Sequence, residues 1–339
     1  MINIDKQVND FLQKYNELNN SFSKSLVFGV GLEAGFYSEF NNMALAILYC
    51  LENKIKLYLH SSKSNFGKWT DFFEPFCIEK NNCYTDKFDH RFSAKNLTNK
   101  QKIREKIVKI IGKIYGINYL TYDLFETIHN LEEKYYNIEK LNISGTTQQI
   151  CGEIIRNIYR FNSQTINAIE QLTNKIAFEQ PYIGFHIRGG DKIIEHEIMA
   201  IDSYVQKAEQ LTEIRNAFIF TDDYIMFETF QKKHPQWNIK TLTNSSETGY
   251  FHNEFQQQNA LQKRNELIKM FASIEILRNA QQIFCTYSSN IGMFLGMIED
   301  NTIQYNTIQY NTIQYNTIPK LSVLIWKNGI FGKKSTQFI

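Results

Sequence analysis

Three short apolar runs in the second half of the chain do most to decide its architecture. Each stops on a polar cluster, and each leads into a helical pattern. Ile183, Phe185 and Ile187 alternate behind Pro181, and the run ends in Arg188-Gly-Gly-Asp-Lys192. Ala217-Phe-Ile-Phe220 ends in Thr221-Asp222-Asp223, and residues 283–287 end in Ser288-Ser289-Asn290. Helices are expected behind Asp202-Ser203 as far as about 211, over 224–233, over 266–279 and over 291–297, with another strand over 237–242. In the 266–279 helix Leu267, Met270, Phe271, Ile274 and Leu277 fall on the inner face. Strands and helices alternating at this length predict an α/β fold with a parallel, doubly wound sheet. Such sheets bind ligands beyond the carboxyl ends of their strands, where the three polar clusters lie.

The first half begins with an amphipathic helix to about Lys24, carrying Val8, Phe11, Leu12 and Tyr15 on one face. A strand from Leu26, a glycine-bearing turn and a helix over 41–52 follow, with Ser38 and Asn41 as N-cap candidates. Residues 54–60 read as a second strand, and the aromatic segment from Trp69 to Phe76 as core. Residues 81–100 are polar and irregular, and 101–175 mostly helical. A domain boundary is placed between 175 and 176. Residues 301–319 are a tandem array, Asn-Thr-Ile-Gln-Tyr three times and then Asn-Thr-Ile-Pro. A five-residue period matches neither strand nor helix, so the array is read as an expanded loop without function of its own. A last apolar strand is expected over 321–326.

Composition excludes several classes. The 339 residues carry a formal net charge of +2, which does not mark a nucleic-acid binder. The five cysteines are odd in number and lack CxxC spacing, which argues against a disulfide framework and a zinc site. No signal-peptide core opens the chain, and the longest apolar run, 43–51, is too short to span a bilayer. A soluble, cytoplasmic protein is expected, free to sit peripherally at a membrane that carries its substrate.

The segment Tyr182 to Glu197 concentrates the chemistry. Two glycines free the backbone where the strand ends. Arg188 offers a fork of donors that suits phosphate. Glu195, His196 and Glu197 follow close behind an Arg and a Lys. His186-Ile-Arg188-Gly-Gly-Asp191-Lys192 resembles the His-x-Arg-x-x-Asp-Lys signature of the α1,6-fucosyltransferase group, within the GDP-fucose fucosyltransferase superfamily. The glycine turn before the first long helix, with Gly35 and Tyr37, resembles that family's first turn, and the Trp69–Phe76 spacing a segment after its second strand.

The resemblance implies a GT-B-like fold of two Rossmann-like domains facing a cleft. Residues 1–175 would be the acceptor-side domain, and 176–339 the GDP-sugar-binding domain with the 301–319 insertion. It implies an inverting, metal-independent glycosyltransferase that moves fucose from GDP-fucose to a glycan, here one containing GlcNAc, with α1,6 among the open linkages. Arg188 and Lys192 would face phosphate and sugar. His186, Asp191, Ser288 and Ser289 would help bind the donor, together with Gly35 and Tyr37. Adjacent aspartates at a strand end point to opposite sides, so of Asp222 and Asp223 one should cap a helix and one face the cleft. Glu195 or Glu197 is the expected general base, Glu195 preferred, with His196 the remaining candidate. Residues 243–259, with Tyr250, Phe251 and His252, form either an acceptor-facing loop or a plain surface loop.

The match has departures. The family's second Arg is Gly189, its usual base position is His196, and its nucleotide-contacting Asp aligns with Ser273, near Glu275. A different GDP-sugar as donor therefore stays open, as does a non-catalytic nucleotide-sugar or glycan-binding protein. Composition and motifs leave the oligomeric state open.

Overall fold

The computed structural model describes residues 2–91, 98–176, 178, 180–189, 200–285, 289–298 and 304–307. Asp191, Lys192, Glu195, His196, Glu197 and Ser288 lie outside them, as do residues 321–326 and most of the array. The described chain divides into two compact units, one ending at Phe161 and the other beginning at Asn162.

The first unit runs α1 (Ile2–Asn20), β1 (Lys24–Gly29), α2 (Phe36–Glu52), β2 (Ile55–His60), α3 (Cys83–Phe88), α4 (Asn99–Ile114) and α5 (Thr121–His129). It closes with β3 (Tyr135–Ile138), β4 (Ile143–Thr146) and α6 (Thr147–Ile158). β1 and β2 pair in parallel from Lys24 opposite Ile55 to Gly29 opposite His60. Helix α2 starts at Phe36, five residues before the expected start, with Gly35 as its N-cap, so Ser38 and Asn41 lie inside it. The early start lets Phe36 stack on Phe73 at 5.7 Å and Phe40 on Trp69 at 5.9 Å. Trp69, Phe72, Phe73 and Phe76 are buried, so the aromatic segment is core as expected. The expected helical stretch is interrupted at 135–146 by the antiparallel hairpin β3–β4. Asn142 takes the left-handed conformation at φ 55°, which Asn tolerates better than most residues. Its flanking tyrosines and isoleucines favour strand over helix.

The second unit contains α7 (Ser163–Thr173), β5 (Ile183–Ile187), α8 (Ile201–Leu211), β6 (Asn216–Thr221), α9 (Tyr224–Lys233) and β7 (Asn238–Lys240). It continues with α10 (His252–Gln257), α11 (Ala260–Arg278), β8 (Gln282–Cys285), α12 (Asn290–Ile298) and β9 (Gln304–Thr307). The sheet order is β7-β6-β5-β8-β9, and every pair is parallel. This is the doubly wound arrangement expected from the three apolar runs. The order reverses between β5 and β8, which is the topological switch point where such sheets bind ligands.

Alternation along β5 sends Ile183, Phe185 and Ile187 into a core with Tyr204, Phe230 and Trp237. Burying each such side chain is worth about 1.5–3 kcal/mol. The opposite face holds Gly184, where a Cβ would come within 2.5 Å of Leu277 Cδ2. Glycine there gives the Leu277 methyl room against the strand. Helix α11 begins six residues before the expected 266, because Asn259 and Gln262 form a capping box there.

The array does not remain entirely loop. Gln304–Thr307 pairs in parallel with β8, from Gln282 opposite Gln304 to Cys285 opposite Thr307. Tyr and Thr are good strand formers, and an edge of the sheet is open to any extended segment that reaches it. Deleting one whole pentapeptide restores the same tetrapeptide at the same place, since Gln-Tyr-Asn-Thr recurs at 309–312 and 314–317. Changes in loop length cost only about 0.6 kcal/mol per doubling. A one-unit deletion is therefore expected to stay soluble and to keep activity within a few-fold. Loss of soluble protein would show that the copies are not interchangeable.

Candidate functional site

The ends of β5, β6 and β8 converge in the second unit. His186 is the last inward residue of β5 on the α11 face, opposite Phe220 and Cys285. It is 3% exposed, and burial, reinforced by the Arg188 charge, pushes its imidazole down to about 3. A neutral ring results, able to donate one N–H but not to carry charge. Its Nδ1 lies 3.5 Å from Ser289 Oγ, across the switch point. Ser289 also accepts the Gly292 N–H at 2.8 Å and so caps α12. Ser289 is thus brought to the site by the turn into α12.

Arg188 leaves the strand with its side chain about one quarter exposed, and its Nε lies 3.9 Å from Asp222 Oδ2. Asp222 Oδ1 accepts the Gly189 N–H at 2.7 Å, and Oδ2 accepts the Tyr250 N–H at 3.2 Å. Asp223 turns away and caps α9 by accepting the Ile225 N–H at 2.9 Å. The adjacent aspartates therefore divide their work: Asp223 secures a helix, while Asp222 ties the Arg188 turn to the Tyr250 loop. Gly189 must be glycine here, because a Cβ would come within 2.8 Å of Asp223 Cβ. Replacing Asp222 with alanine strips two backbone N–H groups of their acceptor and is expected to cost about 1–3 kcal/mol in urea unfolding. An unchanged midpoint would show that the turn holds without it.

The 243–259 segment is well anchored. Thr243 Oγ donates to the Thr221 carbonyl at 2.6 Å, Tyr224 N–H to Glu247 O at 2.9 Å, and Lys269 pairs with Glu247. Tyr250 Oη lies 3.0 Å from His252 Nδ1, at the start of α10. Ser273 is buried in α11, and its hydroxyl donates to the Lys269 carbonyl at 2.9 Å. Glu275 pairs with Arg278 on the same helix at 3.0 Å.

In the first unit Gly35 opens α2, while Tyr37 is buried with its hydroxyl 2.8 Å from that of Tyr159. Tyr37 thus serves the aromatic core. Sequence reasoning missed the ionic groups around it. Glu39 Oε1 accepts the Ala34 N–H at 2.9 Å and pairs with Arg91 Nη1 at 2.8 Å, both side chains nearly fully buried. Burial raises the Glu39 carboxyl, against the opposing pull of Arg91. At the end of β2, His60 bonds Asp89 at 3.0 Å and Asp86 at 3.1 Å. Burial disfavours the charged ring, but Asp89 and Asp86 outweigh it and hold His60 above its ordinary value. The readable signal was Glu39, an acid set between Phe36, Tyr37 and Phe40 near the start of a largely apolar helix.

Comparisons with known proteins agree with this geometry. The family described as "Alpha-(1,6)-fucosyltransferase N- and catalytic domains" matches residues 6–294, which stops short of the array. Among solved structures, a NodZ α-1,6-fucosyltransferase soaked with GDP-fucose aligns at 14% identity with a TM-score of 0.50, covering 81% of this chain and 92% of that one. The fucosyltransferase NodZ from Bradyrhizobium aligns at 13% identity with a TM-score of 0.48, covering 81% and 93%. The POFUT1 apo form aligns at 9% identity with a TM-score of 0.44, covering 81% and 94%. The α/β fold is that of the GT-B fucosyltransferases. With the signature at the end of β5 and the family match along most of its length, the chain belongs to the α(1,6)-fucosyltransferase family and is a glycosyltransferase.

Proposed function

We propose that this enzyme moves fucose from GDP-fucose to a glycan acceptor containing GlcNAc, with inversion at the sugar and α1,6 as the preferred linkage. One observation carries the reading most directly: Arg188 stands at the carboxyl end of β5, beside the switch point, with its Nε 3.9 Å from Asp222. A guanidinium so placed can neutralise charge that builds on a departing phosphate. Neutral His186 and the Ser289 hydroxyl supply hydrogen bonds on the same edge, and α12 offers its N-terminus. Lys192 and Asp191 follow Arg188 in the chain and are assigned to the donor with it. Glu195 is assigned as general base. A solved relative soaked with GDP-fucose supports the choice of donor.

The decisive experiment presents a panel of GDP-sugars with GlcNAc-containing acceptors and reads transfer by mass spectrometry. Transfer from GDP-fucose is expected. Transfer from another GDP-sugar alone would overturn the donor assignment, and binding without turnover would overturn the catalytic one.

The reaction is proposed to need no divalent metal. Asp222 and Asp223 serve backbone N–H groups of different elements rather than a common point. Activity is expected to survive EDTA. Loss with EDTA and recovery with Mn²⁺ would contradict the proposal. A reducing, cytoplasmic setting is proposed from the five free thiols, Cys50, Cys77, Cys83, Cys151 and Cys285. Among the described residues no helix is long and apolar enough to cross a membrane.

A further inference from the structure

Helix α4 packs one face and leaves an apolar one open. Its inner side holds Val108, which is buried with Tyr84, Ile117 and Leu120, and Ile111, which packs against that cluster. Tyr84 Oη donates to the Val108 carbonyl at 2.9 Å, and Gly112 lies so close that a Cβ would meet Tyr84 Oη at 2.5 Å. The helix is therefore fixed to the unit. On the outer side Ile103, Ile107, Ile110 and Ile114 are 60%, 51%, 61% and 80% exposed. The spacing i, i+4, i+7, i+11 places all four on one narrow stripe. Single exposed isoleucines are ordinary, but an aligned row of them marks an interaction surface.

The charges beside the stripe identify what it meets. Around the helix, Lys106 and Lys113 flank it on one side, and Lys100 and Arg104 on the other, all exposed. Lys109 lies further round and pairs with Asp123 at 3.1 Å. The helix carries six basic residues against Glu105 alone, while the whole chain is only +2. Beside it a groove of about 480 Å³ has Phe88, Ile107, Val108 and Ile111 along its walls, with Lys87 and Arg104 also lining it. A second copy of this helix would set lysine against lysine. A nucleic acid would satisfy the cations but leave the isoleucines in water. A bilayer with anionic headgroups satisfies both sets at once.

We propose that α4 is a membrane-surface helix. Its isoleucine stripe enters the boundary between headgroups and acyl chains of an anionic bilayer, while Lys100, Arg104, Lys106 and Lys113 meet the lipid phosphates. The inference is independent of the donor and acceptor assigned above.

The test is flotation of the full chain with phosphatidylcholine vesicles, with and without phosphatidylglycerol. Binding is expected only to the anionic vesicles and should weaken as salt screens the charges. Ile103→Asp with Ile110→Asp should abolish it. Lys106→Gln and Lys113→Gln should each weaken it about fivefold, the effect of about one basic residue at an anionic surface. Both sets of variants should keep the wild-type circular dichroism and melting temperature, because the altered side chains are exposed. Failure of the wild type to float would overturn the proposal, as would binding unchanged in both sets. A concentration-dependent dimer dissociated by the isoleucine variant would overturn it too, by making a second copy the occupant.

Discussion

Replacing Arg188 with alanine is expected to lower transfer by about two to three orders of magnitude, the scale on which single preorganised donors act on developing charge. The protein should remain folded, since the side chain stands at a strand end outside the core. Position matters as well as charge. Asp222 accepts the Gly189 N–H and lies 3.9 Å from the Arg188 Nε, so the turn that carries Arg188 is tied to the end of β6. Arg188→Lys keeps the charge but loses the planar pair of donors, and should recover only part of the rate. The measurement is turnover with GDP-fucose alongside GDP affinity and melting temperature. Near-normal turnover of the alanine variant would remove the phosphate role.

The second large effect concerns the proton of the acceptor hydroxyl. In an inverting transfer the acceptor oxygen attacks opposite the departing GDP, so its proton goes to a group on the acceptor side. Arg188 and Lys192 are assigned to phosphate and sugar, which leaves Glu195, His196 and Glu197 later in the same segment. Glu195 is preferred because it stays nearest the strand end and its glycines. His196 is the remaining candidate, because a free imidazole titrates at about 6.5, near neutrality. Glu195→Gln is expected to retain GDP binding and lose about two to four orders of magnitude in rate, the usual contribution of a positioned base. His196→Ala and Glu197→Gln should be milder. If Glu195→Gln matches wild type the assignment fails, and if all three variants do, the base lies in another segment.

Strands β5, β6 and β8 were legible because each combines a short β-branched or aromatic run with a polar stop, which are local signals; β9 was not, because a five-residue repeat carries no strand period. The span of α9 was legible for a similar reason: Asp223 caps it, and Pro235 lies two residues past its end. The start of α2 was not, because Phe36, Glu39 and Phe40 join the helix through stacking on Phe73 and Trp69 and a buried pair with Arg91. Those partners are remote in sequence, and no cap residue announces them. The hairpin at 135–146 was hidden by charged residues that also suit a helix. Of the candidate site, strand geometry alone foretold that one of Asp222 and Asp223 would cap a helix, which Asp223 does. The roles of Gly189 and Tyr250 were not foretold, since both depend on where Asp222 lies.

The edge strand Gln304–Thr307 gives the sheet a border drawn from a stock of identical parts. The same four residues stand five and ten positions further on, so nothing in their side chains tells one copy from another. Register along such an edge is weakly specified. Each further copy carries the sequence that pairs with β8. Copy number then sets more than loop length. It sets how many segments of identical sequence stand near enough in the chain to take the place of β9 beside β8.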